Sequence, residues 1–144
     1  MSEWFDNGVL RVQVPSGWKL FGGTDSDGKI TPKKVHICKH AQFETDMFTH
    51  ICITVCFFDR QDYYLSPKFF YDNVVDMDAF TLGACVWNGY TCTSLGYPYT
   101  MLDAKRDGCI FQEMILMKNG EHEISLEDAD VKMILESLTI ANVQ

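Results

Sequence analysis

His36, Cys38 and His40 recur at every second position, and alternate residues of a strand project to one face. The stretch His50 to Phe58 carries Ile51, Ile53, Val55 and Phe57 in alternation and is the strongest strand signal in the chain. Antiparallel pairing of these two stretches near Cys38 and Cys52 would bring His40 beside His50 on the same face. Imidazole and thiolate are the donors zinc prefers, so the His36/Cys38/His40 face is a candidate metal or small-molecule site. The spacing argues the other way, because CxxC and HxxxH pairs are missing and neighbours on a flat sheet splay apart. A cross-strand patch packed under a helix accounts for the same residues. No residue is assigned to a metal or cofactor, and no cofactor is expected.

Other chemistry has weaker support. Gly23-Thr24-Asp25-Ser26-Asp27-Gly28-Lys29-Ile30 resembles part of an EF-hand loop. Aligned on Gly28, however, Gly23 takes the first ligand position and Lys34 the twelfth, so the bidentate carboxylate is lost. A turn is expected there. Cys85, Cys92 and Cys109 fall in apolar strand patterns without a base or helix N-terminus to lower a thiol pKa. Ser16, Ser94 and Ser137 lack a nucleophile-elbow context. The carboxylate pairs Asp76/Asp78 and Glu127/Asp128 sit at predicted helix ends. The chain is expected not to be an enzyme, with no catalytic residue assigned.

The aromatic residues Tyr63, Tyr64, Phe69, Phe70 and Tyr71 are denser than one short helix needs, as is Tyr97-Pro98-Tyr99. Core packing is one use for them, and a partner groove is the other. The chain has 144 residues, a length that suits one domain over residues 1–144. Its net charge of −8 opposes binding to nucleic acid and to anionic membranes. The longest apolar run, Ile51 to Phe58, is broken by Thr54 and is far too short for a membrane span. Met1-Ser2-Glu3-Trp4 has neither a basic nor an apolar leader segment. The six cysteines, Cys38, Cys52, Cys56, Cys85, Cys92 and Cys109, mostly occupy apolar strand patterns, where free thiols act as small hydrophobes. A cytoplasmic protein without membrane insertion is expected.

The elements that must position these residues follow from periodicity. Strands are predicted over Gly8 to Val14, from Trp18, over Lys34 to His40 and over His50 to Phe58. Turns are predicted at Pro15-Ser16-Gly17 and Asp25-Ser26-Asp27-Gly28. A helix is predicted from Ser66-Pro67, with Phe70/Val74 and Tyr71/Val75 as i,i+4 pairs. Asn88-Gly89 is read as a type I′ turn between strands Phe80 to Trp87 and Tyr90 to Leu95. Asp107-Gly108 is read as a second hairpin turn, between Tyr99 to Ala104 and Cys109 to Met117. His122 to Ile124 adds a short piece. A last helix is capped at Ser125, with Asp128 in the capping-box position and Val131, Ile134, Leu135 and Leu138 as its apolar stripe. The expected class is α+β: an antiparallel sheet of about six or more strands flanked by two main helices, one mid-chain and one C-terminal.

This order of elements, with Pro15-Ser16-Gly17-Trp18 near the start and Ile134-Leu135-Glu136-Ser137-Leu138 near the end, resembles the PsbP-like superfamily. That superfamily holds an extrinsic photosystem II subunit, a Ran-binding import factor and bacterial effector chaperones. The resemblance implies a PsbP-like sandwich and a binding role, and it carries over no functional residue. The expected function is therefore that of a non-enzymatic binding or adaptor protein. It would engage a protein partner through an aromatic-lined face.

Overall fold

The computed structural model describes residues 2–60 and 64–141. Seven strands form one antiparallel sheet: β3 (Trp18–Thr24), β4 (Ile30–Lys39), β5 (Cys52–Phe58), β6 (Asp72–Leu82), β7 (Cys85–Ser94), β8 (Tyr97–Arg106) and β9 (Cys109–Leu116). Their spatial order is β3-β4-β5-β9-β8-β7-β6. Two meanders, β3-β4-β5 and β6-β7-β8-β9, therefore meet where β5 pairs with β9. The largely apolar character of β5 on both faces fits that central position.

One face is covered by a small sheet and a helix. The small sheet has the order β1 (Glu3–Asp6), β2 (Leu10–Val14), β12 (Thr139–Ile140). The helix, α1 (Ala129–Ser137), buries Val131, Ile134 and Leu135. These side chains meet Val35, Ile37, Ile53, Val55, Trp87, Leu102, Phe111 and Ile115 in the main core. The two strands β10 (Lys118–Asn119) and β11 (His122–Glu123) form a separate small ladder.

The helix is anchored by polar groups as well as by burial. The Trp18 indole N–H donates to Asp130 Oδ2 at 3.0 Å, and Lys39 Nζ lies 3.1 Å from the same oxygen. Partial burial raises the Asp130 carboxyl pKa, but the bonds from Trp18 and Lys39 outweigh it and hold the group below the usual carboxylate range. Asp130→Ala should lower stability by about 1–2 kcal/mol, measured by urea unfolding, because it leaves a largely buried indole N–H unpaired. An unchanged midpoint would show that burial alone seats the helix.

Several expectations are corrected. The class is not the expected α+β, PsbP-like sandwich of two main helices flanking a sheet: the described residues are mostly strand, with one α-helix and a seven-stranded antiparallel sheet. Around Pro67 the chain makes only a four-residue 3-10 turn, Pro67–Phe70, which buries nothing. A helix of that length propagates only when it has a face to bury. Asn73 then takes a left-handed backbone, φ 54°. Val74 and Val75 are stiff at χ1 and suit a strand, so the region becomes the edge strand β6.

Asn88-Gly89 is not a turn. Both residues lie inside β7, with Gly89 opposite Met77 on one side and Leu102 on the other. The β6–β7 reversal falls at Gly83-Ala84 and the next at Leu95-Gly96, with Leu95 at φ 52° and Gly96 at φ 84°. Asp107-Gly108 does form the expected hairpin turn, with both residues at positive φ, 52° and 81°. The cap of α1 shifts from Ser125 to Asp128, whose Oδ2 accepts the Ser125 N–H at 2.9 Å. No helix among the described residues is long and apolar enough to cross a membrane.

Candidate functional site

The second face of the seven-stranded sheet is only partly covered. Alternation places His36 and Cys38 from β4, Cys52, Thr54, Cys56 and Phe58 from β5, Gln112, Met114 and Leu116 from β9, and Tyr99, Met101 and Asp103 from β8 on this face. Two excursions lie across it. The first, between β4 and β5, carries a 3-10 helix, Glu44–Phe48. Its Met47 packs on Phe21, Cys38 and Cys52. The second leads into β6. Its Tyr64 packs on Phe58 with ring centroids 5.1 Å apart, and its hydroxyl donates to Asp103 Oδ2 at 3.2 Å. Tyr71 and Val74 then pack on Tyr90, Cys92 and Met101, beside Tyr99 and Met114.

A cleft of about 200 Å³ stays open on this face. Its walls are His36, Met47, Phe48, Cys52, Thr54, Tyr99, Met114 and Leu116. His36 Nδ1 lies 2.8 Å from Thr54 Oγ1. Burial lowers the imidazole pKa, the nearby Lys34 lowers it further, and Glu44 opposes both weakly, so the ring is neutral at pH 7.

The sequence-predicted pairing of Cys38 with Cys52 is present in the register. The Cys52 thiol donates to Met47 O at 3.6 Å; the adjacent Cys52 thiol, then burial and the negative charge of Asp46, push the Cys38 thiol far up. Burial likewise raises Cys56, Cys85, Cys92 and Cys109. These thiols are therefore protonated near neutral pH, which removes the thiolate that nucleophilic chemistry needs.

The four soft donors do not gather as the spacing suggested. His40 leaves the strand at φ 61°, and its backbone N–H donates to Gly17 O at 2.6 Å. A left-handed residue reverses the chain and takes its side chain off the Cys38 face. His50 instead stacks on His122, with ring centroids 4.7 Å apart. Among the described residues no three His, Cys, Asp or Glu side chains form a group able to hold a metal ion.

Other singled-out residues have local duties. Asp25 Oδ1 accepts the N–H groups of Asp27 and Lys29, so its carboxylate is used by the turn. Ser137 Oγ accepts the Gln13 N–H at 2.8 Å. Asp76 pairs with Lys68 on the sheet edge. Tyr63 lies outside the described residues.

The aromatic excess is placed unevenly. Tyr64, Tyr71 and Tyr99 are partly buried against the sheet, whereas Phe69 is 94% exposed, Phe70 88% and Leu65 87%. On the other excursion Phe48 is 79% and Phe43 68% exposed. Sequence reasoning missed Phe43, Phe48 and Leu65. For Phe43 and Phe48 the available signal was a largely polar stretch without the period-2 or period-3.6 pattern that would bury them.

No protein-family model matches the chain, and comparison with curated proteins gives no match.

Proposed function

We propose that this protein is a non-enzymatic adaptor whose open sheet face binds an apolar segment of a partner protein. The observation that carries the reading is the near-complete exposure of Phe69, Phe70 and Leu65, with Phe43 and Phe48 on the neighbouring excursion of the same face. Folding gains nothing from leaving such side chains in water, whereas a partner that covers them recovers roughly 25 cal/mol per Å². Glu44 and Asp46 flank one group, and Asp72, Asp76 and Asp78 follow the other. An apolar segment flanked by basic residues matches that charge pattern. The overall acidity argues against nucleic acid as partner. A cytoplasmic setting suits the four cysteines that are buried as small hydrophobes.

A photoreactive residue at position 69, introduced in the native cell, should give one dominant heterologous adduct. The same probe at Lys118, on the separate small ladder, should give none. In Phe69→Ser/Phe70→Ser, capture of that partner should fall by about tenfold or more, since exposed aromatic anchors of this kind dominate interface energy. The melting temperature should stay unchanged, because neither ring packs on the core. Equal labelling at positions 69 and 118, or capture unaffected by the double substitution, would remove the basis of the reading.

A further inference from the structure

The cleft has a chemical character of its own, although it shares Phe48 with the exposed aromatic rim. Lys39 N–H donates to Ile51 O at 2.9 Å, so residues 39 and 51 form a hydrogen-bonded rung of the β4–β5 ladder. The next rung, Cys38 opposite Cys52, is therefore of the non-hydrogen-bonded kind, in which Cα atoms stand about 4.5 Å apart and side chains are closest. Cys52 forms part of the cleft wall, and Cys38 stands beside it, fully buried. Two thioethers share the site: Met47, packed against the buried cluster of Phe21, Cys38 and Cys52, and Met114, which lines the cleft from the neighbouring strand β9. The imidazole of His36 completes the lining, held through Nδ1 by Thr54. No carboxylate lines the cleft.

We propose that Cys38 and Cys52 form a binding site for a monovalent thiophilic cation, copper(I), with Met47 or Met114 as the third sulfur donor. Ligand softness makes the choice. Thiolate and thioether donors select copper(I), and hard cations need the oxygen ligands this cleft lacks. Coordination number agrees. Zinc would require four donors of the Cys, His or carboxylate type, which the described residues do not assemble. Copper(I) accepts two or three sulfurs. Binding displaces one proton from each thiol to solvent, with no change of oxidation state. The resulting S–Cu–S unit carries one negative charge.

The test is anaerobic titration of the whole protein with copper(I) held by a chromophoric chelator under ascorbate. The wild type should withdraw one copper per chain from the chelator, and Cys38→Ser and Cys52→Ser should each withdraw none. Met114→Leu, which keeps the volume of the cleft, should weaken retention by about tenfold. Cys109→Ser, which changes the partly exposed thiol near Asp59, should behave as wild type. Circular dichroism establishes that the serine variants are folded. If one of them is not, Met114→Leu together with a sulfur-to-copper charge-transfer band in the ultraviolet decides the matter. Copper withdrawn equally by the wild type and a folded Cys38→Ser variant would overturn the site. So would a stoichiometry of one copper per two chains that Cys109→Ser abolishes, or zinc retained in preference to copper.

Discussion

Glu113→Gln should make the protein more stable at pH 8 by on the order of 3 kcal/mol, and nearly neutral at pH 5. Glu113 lies in the middle of β9, between Val55 and Leu102 in the ladder. It is completely buried on the face that carries the main core, and neither carboxyl oxygen has a hydrogen-bond partner. Burial pushes its pKa up to about 8, against about 4.3 for an unfolded chain. Between those two values the folded state keeps a proton that the unfolded state has lost. Stability therefore falls as pH rises through this window and levels off above it. A glutamine of the same shape carries no charge, so it does not share that loss.

His36 acts in the opposite sense, because its lowered pKa makes stability rise with pH below about 6.5. The difference between variant and wild type cancels that contribution. The measurement is guanidinium unfolding of both proteins from pH 5 to 8.5. A difference that does not grow with pH would mean that Glu113 stays ionised in the folded state, with a partner found on relaxation.

Gly89→Asn should prevent folding, or cost about 3 kcal/mol or more, by forcing a side chain into a packed ladder. A Cβ at Gly89 would stand 2.2 Å from the Met101 carbonyl oxygen and 2.7 Å from Leu102 Cδ2. The first contact is with backbone and cannot be relieved by a rotamer change. The substitution discriminates between the two readings of Asn88-Gly89. In a type I′ turn, asparagine tolerates the left-handed conformation and the cost would be small. In mid-strand, the absence of a Cβ is itself the requirement. Circular dichroism and the urea midpoint decide, and a folded variant within about 1 kcal/mol of wild type would contradict the β7 assignment.

That glycine shows where sequence reading reaches its limit. Asn-Gly is a strong local turn signal, yet the tertiary register overrides it. Glycine answers two needs, positive φ and close approach of a neighbouring backbone, and the sequence does not say which one applies. Asp107-Gly108 carried the same kind of signal and is a turn, because the strands on either side are long enough to pair around it. The mid-chain helix failed for a related reason. The i,i+4 spacing of Phe70 with Val74 is compatible with a helix, but only burial of that stripe would have stabilised it, and the sheet edge claimed the valines first.

The candidate site was legible in part. Alternation placed His36 and Cys38 on one face, and the apolar pattern of His50 to Phe58 set the Cys38–Cys52 register. The convergence of His40 and His50 failed, because the turn between the strands reverses His40 through a left-handed backbone. Met47 and Met114 come from distant positions, and nothing local links them to the cysteines.

By itself, then, the sequence determined what period-2 hydrophobicity and turn chemistry can encode. It specified β2 to β5, the β8–β9 hairpin, the amphipathic C-terminal helix, the acidic surface and a surplus of aromatic residues. The tertiary structure alone decided which of those aromatic side chains stay in water, that Glu113 is sealed inside the core, and that two thiols meet beside two thioethers in one cleft. The physical reason is range. Periodicity fixes which side of its own strand a residue occupies. What stands opposite it depends on partners far along the chain, chosen by the packing of the whole sheet.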